Sequence, residues 1–235
     1  MKTLHFFWIQ GEEHLREKHP HLYKNQFDWI KNHQGWDILF WNYNSLQELI
    51  TNYYPKYFSI WKRIQQNKFN EKHIFAKIVD FSKFFVFHKF GGFFIDRDLV
   101  FQKPLDDLVK YRGVIGSEVI EKKWYSSHEV AIKMWDRVKD YKFVFQDCLI
   151  GIEKDSNFGI EFINWCIDND RVDLNTLESF SVWALTDFYL GHKNKFEGFK
   201  ILSEDKMLRQ SKDGYCYHTL NNGWMDKTKE IPWDN

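Results

Sequence analysis

Hydrophobic positions along the chain fall into two rhythms. Short apolar or alternating runs at Thr3–Ile9, Trp36–Trp41, Phe93–Ile95, Leu99–Phe101, Val114–Ser117, Phe143–Phe145, Phe199–Leu202 and Tyr215–His218 read as strands. Between them Ile74, Ile78, Phe81, Phe85 and His88 recur at three- and four-residue steps, which predicts a helix over Glu71–Phe90 that stops at Gly91-Gly92. Further helices are expected over Leu22–Asn32, His128–Val138 and Gly159–Asn169. Ser45 and Glu48 have capping-box spacing and predict a helix from about Leu46 that ends before Pro55. Asn175 and Glu178 predict another, running to about Leu190 and closed by Gly191. Strands interleaved with helices indicate an α/β domain, and in open α/β sheets ligands gather beyond the carboxyl ends of the strands.

Length and composition narrow this picture. The 235 residues suit one compact domain, and no internal repeat or low-complexity tract divides them. A hydrophobic share of 43%, with 23 Phe and 11 Trp, points to a folded globule. The 33 basic and 33 acidic residues balance, so the basic surplus of a nucleic-acid binder is missing and no nucleic-acid partner is expected. A neutral chain can still bind a phosphorylated small molecule where a metal or local dipoles supply the positive charge. The three cysteines include no C-x-x-C pair, which fits buried thiols in a reducing, cytoplasmic setting. No run of 18 uncharged apolar residues predicts a transmembrane helix, and the apolar run at the N-terminus is too short for a signal peptide. His14, His19 and His21 are expected in a polar loop without a metal.

The candidate chemistry centres on Asp96-Arg97-Asp98, just past the glycine doublet. In an extended segment Asp96 and Asp98 point to the same side, where two carboxylates repel unless a cation joins them. A hard divalent ion takes oxygen ligands and shares them with phosphate, so this pair could hold a metal-diphosphate. By itself D-x-D is also an ordinary pair of solvated acids in a turn.

Three blocks together resemble glycosyltransferase family 32, to which the glucosyltransferase domains of large clostridial toxins look related. The first is Ala76-Lys77-Ile78-Val79-Asp80-Phe81-Ser82-Lys83 followed by Gly91-Gly92-Phe93-Phe94-Ile95-Asp96-Arg97-Asp98; the second is Leu4-His5-Phe6-Phe7-Trp8-Ile9-Gln10-Gly11; the third is His218 with Trp224 six residues on. Ala76, Asp80, Gly91, Gly92, Asp96 and Asp98 match the pattern, whereas Val79, Lys83, Phe94 and Gly223 stand where the family has serine, arginine, tyrosine and serine. Lysine keeps the arginine's charge but loses its two-pronged fork.

The resemblance implies a GT-A-type fold with a mixed central sheet, residues 1–110 forming the donor-nucleotide half and 111–235 the acceptor side and a C-terminal lid. It implies a retaining transfer from a nucleotide sugar, UDP favoured, to a glycan, a lipid-linked sugar or a protein hydroxyl. Manganese or magnesium would be bound by Asp98, with Asp96 helping and His218 as third ligand; a histidine nitrogen favours manganese. Trp8 would stack on the nucleotide base, worth ~1–3 kcal/mol. Asp80 would bond donor hydroxyls or pair with Lys77 or Lys83, and Lys83 would contact sugar or phosphate. Asn222 could add an oxygen to the metal, Trp224 could close over the donor, and Gln146-Asp147 could face the acceptor or the far side of the sugar. Two other functions fit the same residues: a nucleotide-sugar sensor without turnover, and a metal-dependent phosphohydrolase that releases a sugar phosphate.

Overall fold

A computed structural model of the chain describes residues 1–66, 74–119, 143–174 and 176–219. The expected helix at His128–Val138, the first residues of the helix expected from Glu71, and Asn175, Asn222 and Trp224 lie outside these residues.

The first half alternates strand and helix. β1 (Thr3–Phe7) leads through α1 (Glu12–Lys18) and α2 (Pro20–Asn32) to β2 (Asp37–Trp41). Next come α3 (Tyr43–Tyr53), α4 (Phe58–Gln66), α5 (Ile74–Phe90), β3 (Gly92–Ile95) and β4 (Leu99–Phe101). Then β5 (Gly113–Val119), β6 (Phe143–Ile152), α6 (Phe158–Asp168), α7 (Thr176–Ser179), α8 (Val182–Gly191), β7 (Phe199–Leu202), α9 (Glu204–Met207) and β8 (Cys216–His218) follow. The main sheet has the order β2-β1-β3-β6-β5-β7. β2, β1 and β3 run parallel, β6 runs antiparallel to β3 and β5, and β7 lies parallel to β5. This is a mixed sheet, as expected. β4 and β8 form a separate antiparallel pair.

The alternation of β1 explains the layering. Leu4 and Phe6 join Trp29, Trp36, Phe93 and Leu99 on one face, while Phe7 joins Trp41 and the apolar sides of α3, α4, α5, α6 and α8 on the other. α5 is buried almost all round, which is why its apolar pattern is so dense. Gly91 and Gly92 end it at φ 64° and 107°. A side chain on Gly91 would sit 2.6 Å from the Lys154 backbone nitrogen, and one on Gly92 the same distance from the Thr3 carbonyl oxygen. The doublet therefore lets the chain leave a buried helix and enter β3 within two residues.

Several expectations need correction. α3 opens three residues earlier than Ser45 and Glu48 suggest: Asn42 is the cap, its Oδ1 accepts from the Ser45 backbone N–H at 3.0 Å, and Ser45 Oγ accepts from the Asn42 N–H at 2.9 Å. The loop assigned to His14, His19 and His21 is largely helical, with His14 on α1 and His21 on α2. The helix expected to run to Leu190 is broken at Phe180-Ser181 into α7 and α8. The strand at Phe143 continues to Ile152, so Gln146-Asp147 lie inside it and not after it. All three cysteines are buried and free, as the composition implied.

His5 links β1 to the glycine doublet. It is fully buried; its Nδ1 accepts from Trp41 Nε1–H at 3.1 Å and its Nε2–H donates to the Gly91 carbonyl at 2.5 Å. Burial lowers its pKa to about 4, against the pull of the Gly91 bond. The unfolded chain takes up this proton near pH 6.5 and the folded one only near 4, so stability should fall as pH drops through that window. Urea unfolding between pH 7 and 4.5 should show a loss of roughly 1–3 kcal/mol that is smaller in His5→Gln; equal slopes in the two proteins would contradict this.

Candidate active site at the carboxyl end of β3

β3 delivers Asp96 directly past its last residue. The Asp96 N–H bonds the Cys148 carbonyl on β6 at 2.8 Å, and the Leu99 N–H closes a turn onto the Asp96 carbonyl at 3.1 Å. Asp98 is thereby carried under β4, which pairs with β8 in a register that sets Leu99 opposite His218. Thr219 fastens the junction: its N–H and its hydroxyl both donate to the Asp98 carbonyl at 2.9 Å. His218 Nε2 consequently lies 3.1 Å from Asp98 Oδ1 and 3.9 Å from Asp96 Oδ2. Asp98 is buried, whereas the Asp96 side chain keeps 40% of its surface open.

A second group lies beside the first. Lys83, on α5 and fully buried, donates to Asp80 Oδ1 at 2.8 Å, one turn back on the same helix, and to Asp147 Oδ2 at 2.5 Å. Its ammonium lies 4.9 Å from the centre of the Phe94 ring. Asp147 comes from a bulge in β6. Ile115 pairs with Ile150 but the next residue, Gly116, pairs with Gln146, leaving Asp147, Cys148 and Leu149 without partners on β5. Such a bulge re-aims a side chain, here toward β3 and α5.

Charge at the site is unbalanced. Burial disfavours the Lys83 cation, but Asp147 and Asp80 outweigh it and hold the group protonated. Asp80 is pushed up to about 7 by burial and by Asp147 and Asp96, against the pull of Lys83. Asp96 rises to about 6 through burial and the Asp98 and Asp147 charges, which His218 opposes. Burial alone would lower His218, yet its bonds to Asp96 and Asp98 raise it to about 10. Among the described residues four carboxylates thus share one lysine and one histidine proton.

The donor set fits a divalent cation. Ligand atoms of Asp96, Asp98 and His218 all lie within 4.8 Å of one another, and they are two carboxylates and an imidazole in a region of surplus negative charge. Trp8 lies just past the carboxyl end of β1, the parallel neighbour of β3. It is packed against Leu15 and Leu22, its Nε1–H donates to His14 Nδ1 at 3.1 Å, and its ring lies 5.0 Å from that of His19. The structure therefore brings Asp80, Lys83, Asp147, Asp96, Asp98 and His218 into two adjoining groups and sets Trp8 at the same end of the neighbouring strand. Lys77 does not pair with Asp80; its ammonium donates to the Leu174 carbonyl at 2.8 Å.

Residues 20–114 match the family described as glycosyltransferase sugar-binding region containing DXD motif. The family resemblance drawn from the sequence holds. An uncharacterized glycosyltransferase of Acanthamoeba polyphaga mimivirus is 25% identical over 107 residues, covering 45% of this chain and 38% of that protein. This chain thus matches little more than a third of the viral relative's length. The structure of the PaToxG glycosyltransferase superposes with a TM-score of 0.54 at 16% identity, over 83% of this chain and 70% of that one. This likeness shows a shared GT-A-type fold. Among the described residues no helix is long and apolar enough to cross a membrane.

Sequence reasoning passed over two residues at the site. Ser181 donates to Asp147 Oδ2 at 2.9 Å; its only sequence signal, a serine ahead of an apolar helix, reads as a cap. Arg97, between the two acids, turns away into a cage of Phe6, Phe40 and Trp29 rings 5.0–5.7 Å from its guanidinium carbon. None of its side-chain nitrogens has a hydrogen-bond partner among the described residues. Burial lowers its pKa to about 9, with Glu12 and Tyr23 acting in the opposite direction. A buried unpaired cation costs several kcal/mol, of which the rings offset a part. Arg97→Met should accordingly stabilise the fold by ~1–3 kcal/mol in urea unfolding, and a destabilised variant would contradict this account.

Proposed function

We propose that the chain is a metal-dependent, retaining glycosyltransferase that moves a hexosyl group from a nucleotide sugar, UDP-linked in preference, to a hydroxyl acceptor. One observation carries this reading: Asp96, Asp98 and His218 converge at the carboxyl end of β3, inside a sugar-binding region, in a geometry suited to a divalent ion. A divalent ion held there, manganese or magnesium, supplies the positive charge that a departing nucleoside diphosphate requires. Asp98, the more buried acid, is its main ligand; Asp96, half open to solvent, is placed to meet both the ion and the donor. Asp80 and Asp147 face the glycosyl group, where negative charge stabilises an oxocarbenium-like transition state. Trp8, at the end of β1, is placed for the nucleotide base.

A panel of UDP- and GDP-sugars with and without manganese tests this. One donor should release its nucleoside diphosphate only when manganese is present, and chelation should stop the release. Turnover that survives full chelation would sink the mechanism. A sugar phosphate among the products would identify a phosphohydrolase, and tight donor binding with no release under any acceptor would identify a sensor.

A further inference from the structure

Asp147 is held in an unusual way. Both of its hydrogen bonds, from Lys83 Nζ and Ser181 Oγ, land on Oδ2. Its Oδ1 accepts no hydrogen bond from the described residues. Asp80 is gripped likewise through Oδ1, and its other oxygen accepts no hydrogen bond from the described residues. Lys83 is fully enclosed and Ser181 nearly so, whereas the Asp147 and Asp80 side chains keep 15% and 11% of their surface exposed. The two free oxygens belong to the partly open groups.

Ser181 makes the arrangement informative. It occupies the cap position of α8 with extended backbone, where a serine hydroxyl ordinarily bonds the helix's own first N–H groups. It makes no cap hydrogen bond here. Its hydroxyl turns to Asp147, so the helix forgoes that capping bond and one carboxylate oxygen is fixed instead. The β6 bulge that carries Asp147 gives up strand pairing for the same group.

We propose that Ser181 and Lys83 are positioning residues, which lock one oxygen of Asp147 so that its other oxygen and the free oxygen of Asp80 accept hydroxyls of a neutral glycosyl group. This rests on the nucleotide-sugar reading above and narrows it. Hexoses and N-acetylhexosamines supply hydroxyl donors to such a pair. A uronic acid would add a carboxylate beside Asp80 and Asp147, which share one lysine between them, and like-charge repulsion disfavours it.

Calorimetric titration tests this, with UDP, UDP-glucose, UDP-galactose, UDP-N-acetylglucosamine and UDP-glucuronic acid as probes in the presence of manganese. Ser181→Ala should bind UDP as the wild type does, which also reports an intact fold, yet bind the preferred neutral sugar nucleotide about ten-fold more weakly. Its kcat should fall as well, and Ser181→Thr, which keeps the hydroxyl, should restore both. Wild-type protein should bind UDP-glucuronic acid at least about ten-fold more weakly than the preferred donor. Equal losses for UDP and sugar nucleotide, unchanged donor binding in Ser181→Ala, or preferred binding of the uronic acid would each overturn the inference while leaving the glycosyltransferase reading in place. Wild-type protein that binds UDP but none of the sugar nucleotides would overturn both.

Discussion

Asp98→Ala is expected to abolish manganese-dependent release of nucleoside diphosphate, by roughly 100-fold or more, without unfolding the protein. Asp98 contributes to the site in two ways. Its carboxylate is the more buried of the two acids of the motif, and under the proposed function it is the main oxygen ligand, 3.1 Å from His218. Alanine leaves Asp96 and His218 too few ligands to hold a hard ion against water. The fold should tolerate the change because the site carries more acids than cations, and removing one relieves repulsion. Activity assays across manganese concentrations, with thermal melts of the same preparations, check both halves. Full activity in this variant would place the ion elsewhere.

The second large effect concerns stability. Lys83→Met should destabilise the fold by about 3–5 kcal/mol at neutral pH, because it strips the counter-ion from two enclosed carboxylates. The deficit should shrink as pH falls. Without the lysine both acids hold protons more tightly, and Asp80 is already raised to about 7 in its presence. Protonation removes the unpaired charge, so the variant approaches the wild type in acid. Urea unfolding at pH 8 and pH 5.5 measures this, and adding Asp147→Asn should recover part of the loss. A deficit of the same size at both pH values would show that lost packing over Phe94, and not charge, sets the cost.

The parts of the fold legible in the sequence were those where a local signal agrees with its surroundings. β7 and β4 have the predicted limits because short apolar runs are bounded by turns. α5 ends where Gly91 breaks it, since no other residue accepts that backbone so close to Lys154. Illegible parts depend on distant partners. α1 is a seven-residue, mostly charged segment with only His14 and Leu15 buried, too short for a helical period to emerge. The one local mark of the break is Ser181 itself, a serine ahead of an apolar run, and the partner its hydroxyl takes lies on β6. The extension of β6 past Phe145 is hidden by Gln146-Asp147, a polar pair that strands usually avoid and that a bulge accommodates. At the site, D-x-D spacing gave two acids, but the meeting of His218 with Asp98 is a product of strand register. Lys83 as an internal counter-ion follows from burial, which no motif encodes.

The β4–β8 ribbon has a consequence for assembly. An ion seated on Asp96, Asp98 and His218 would rivet two strands that lie far apart in the sequence, with the Asp98 carbonyl already stitched to Thr219. Occupancy and docking of that last strand are then one equilibrium: each gain in affinity for the ion tightens the ribbon, and mechanical peeling of β8 empties the seat. If an ion binds there, a newly synthesised chain would lack its third ligand until that strand had emerged and zipped onto β4.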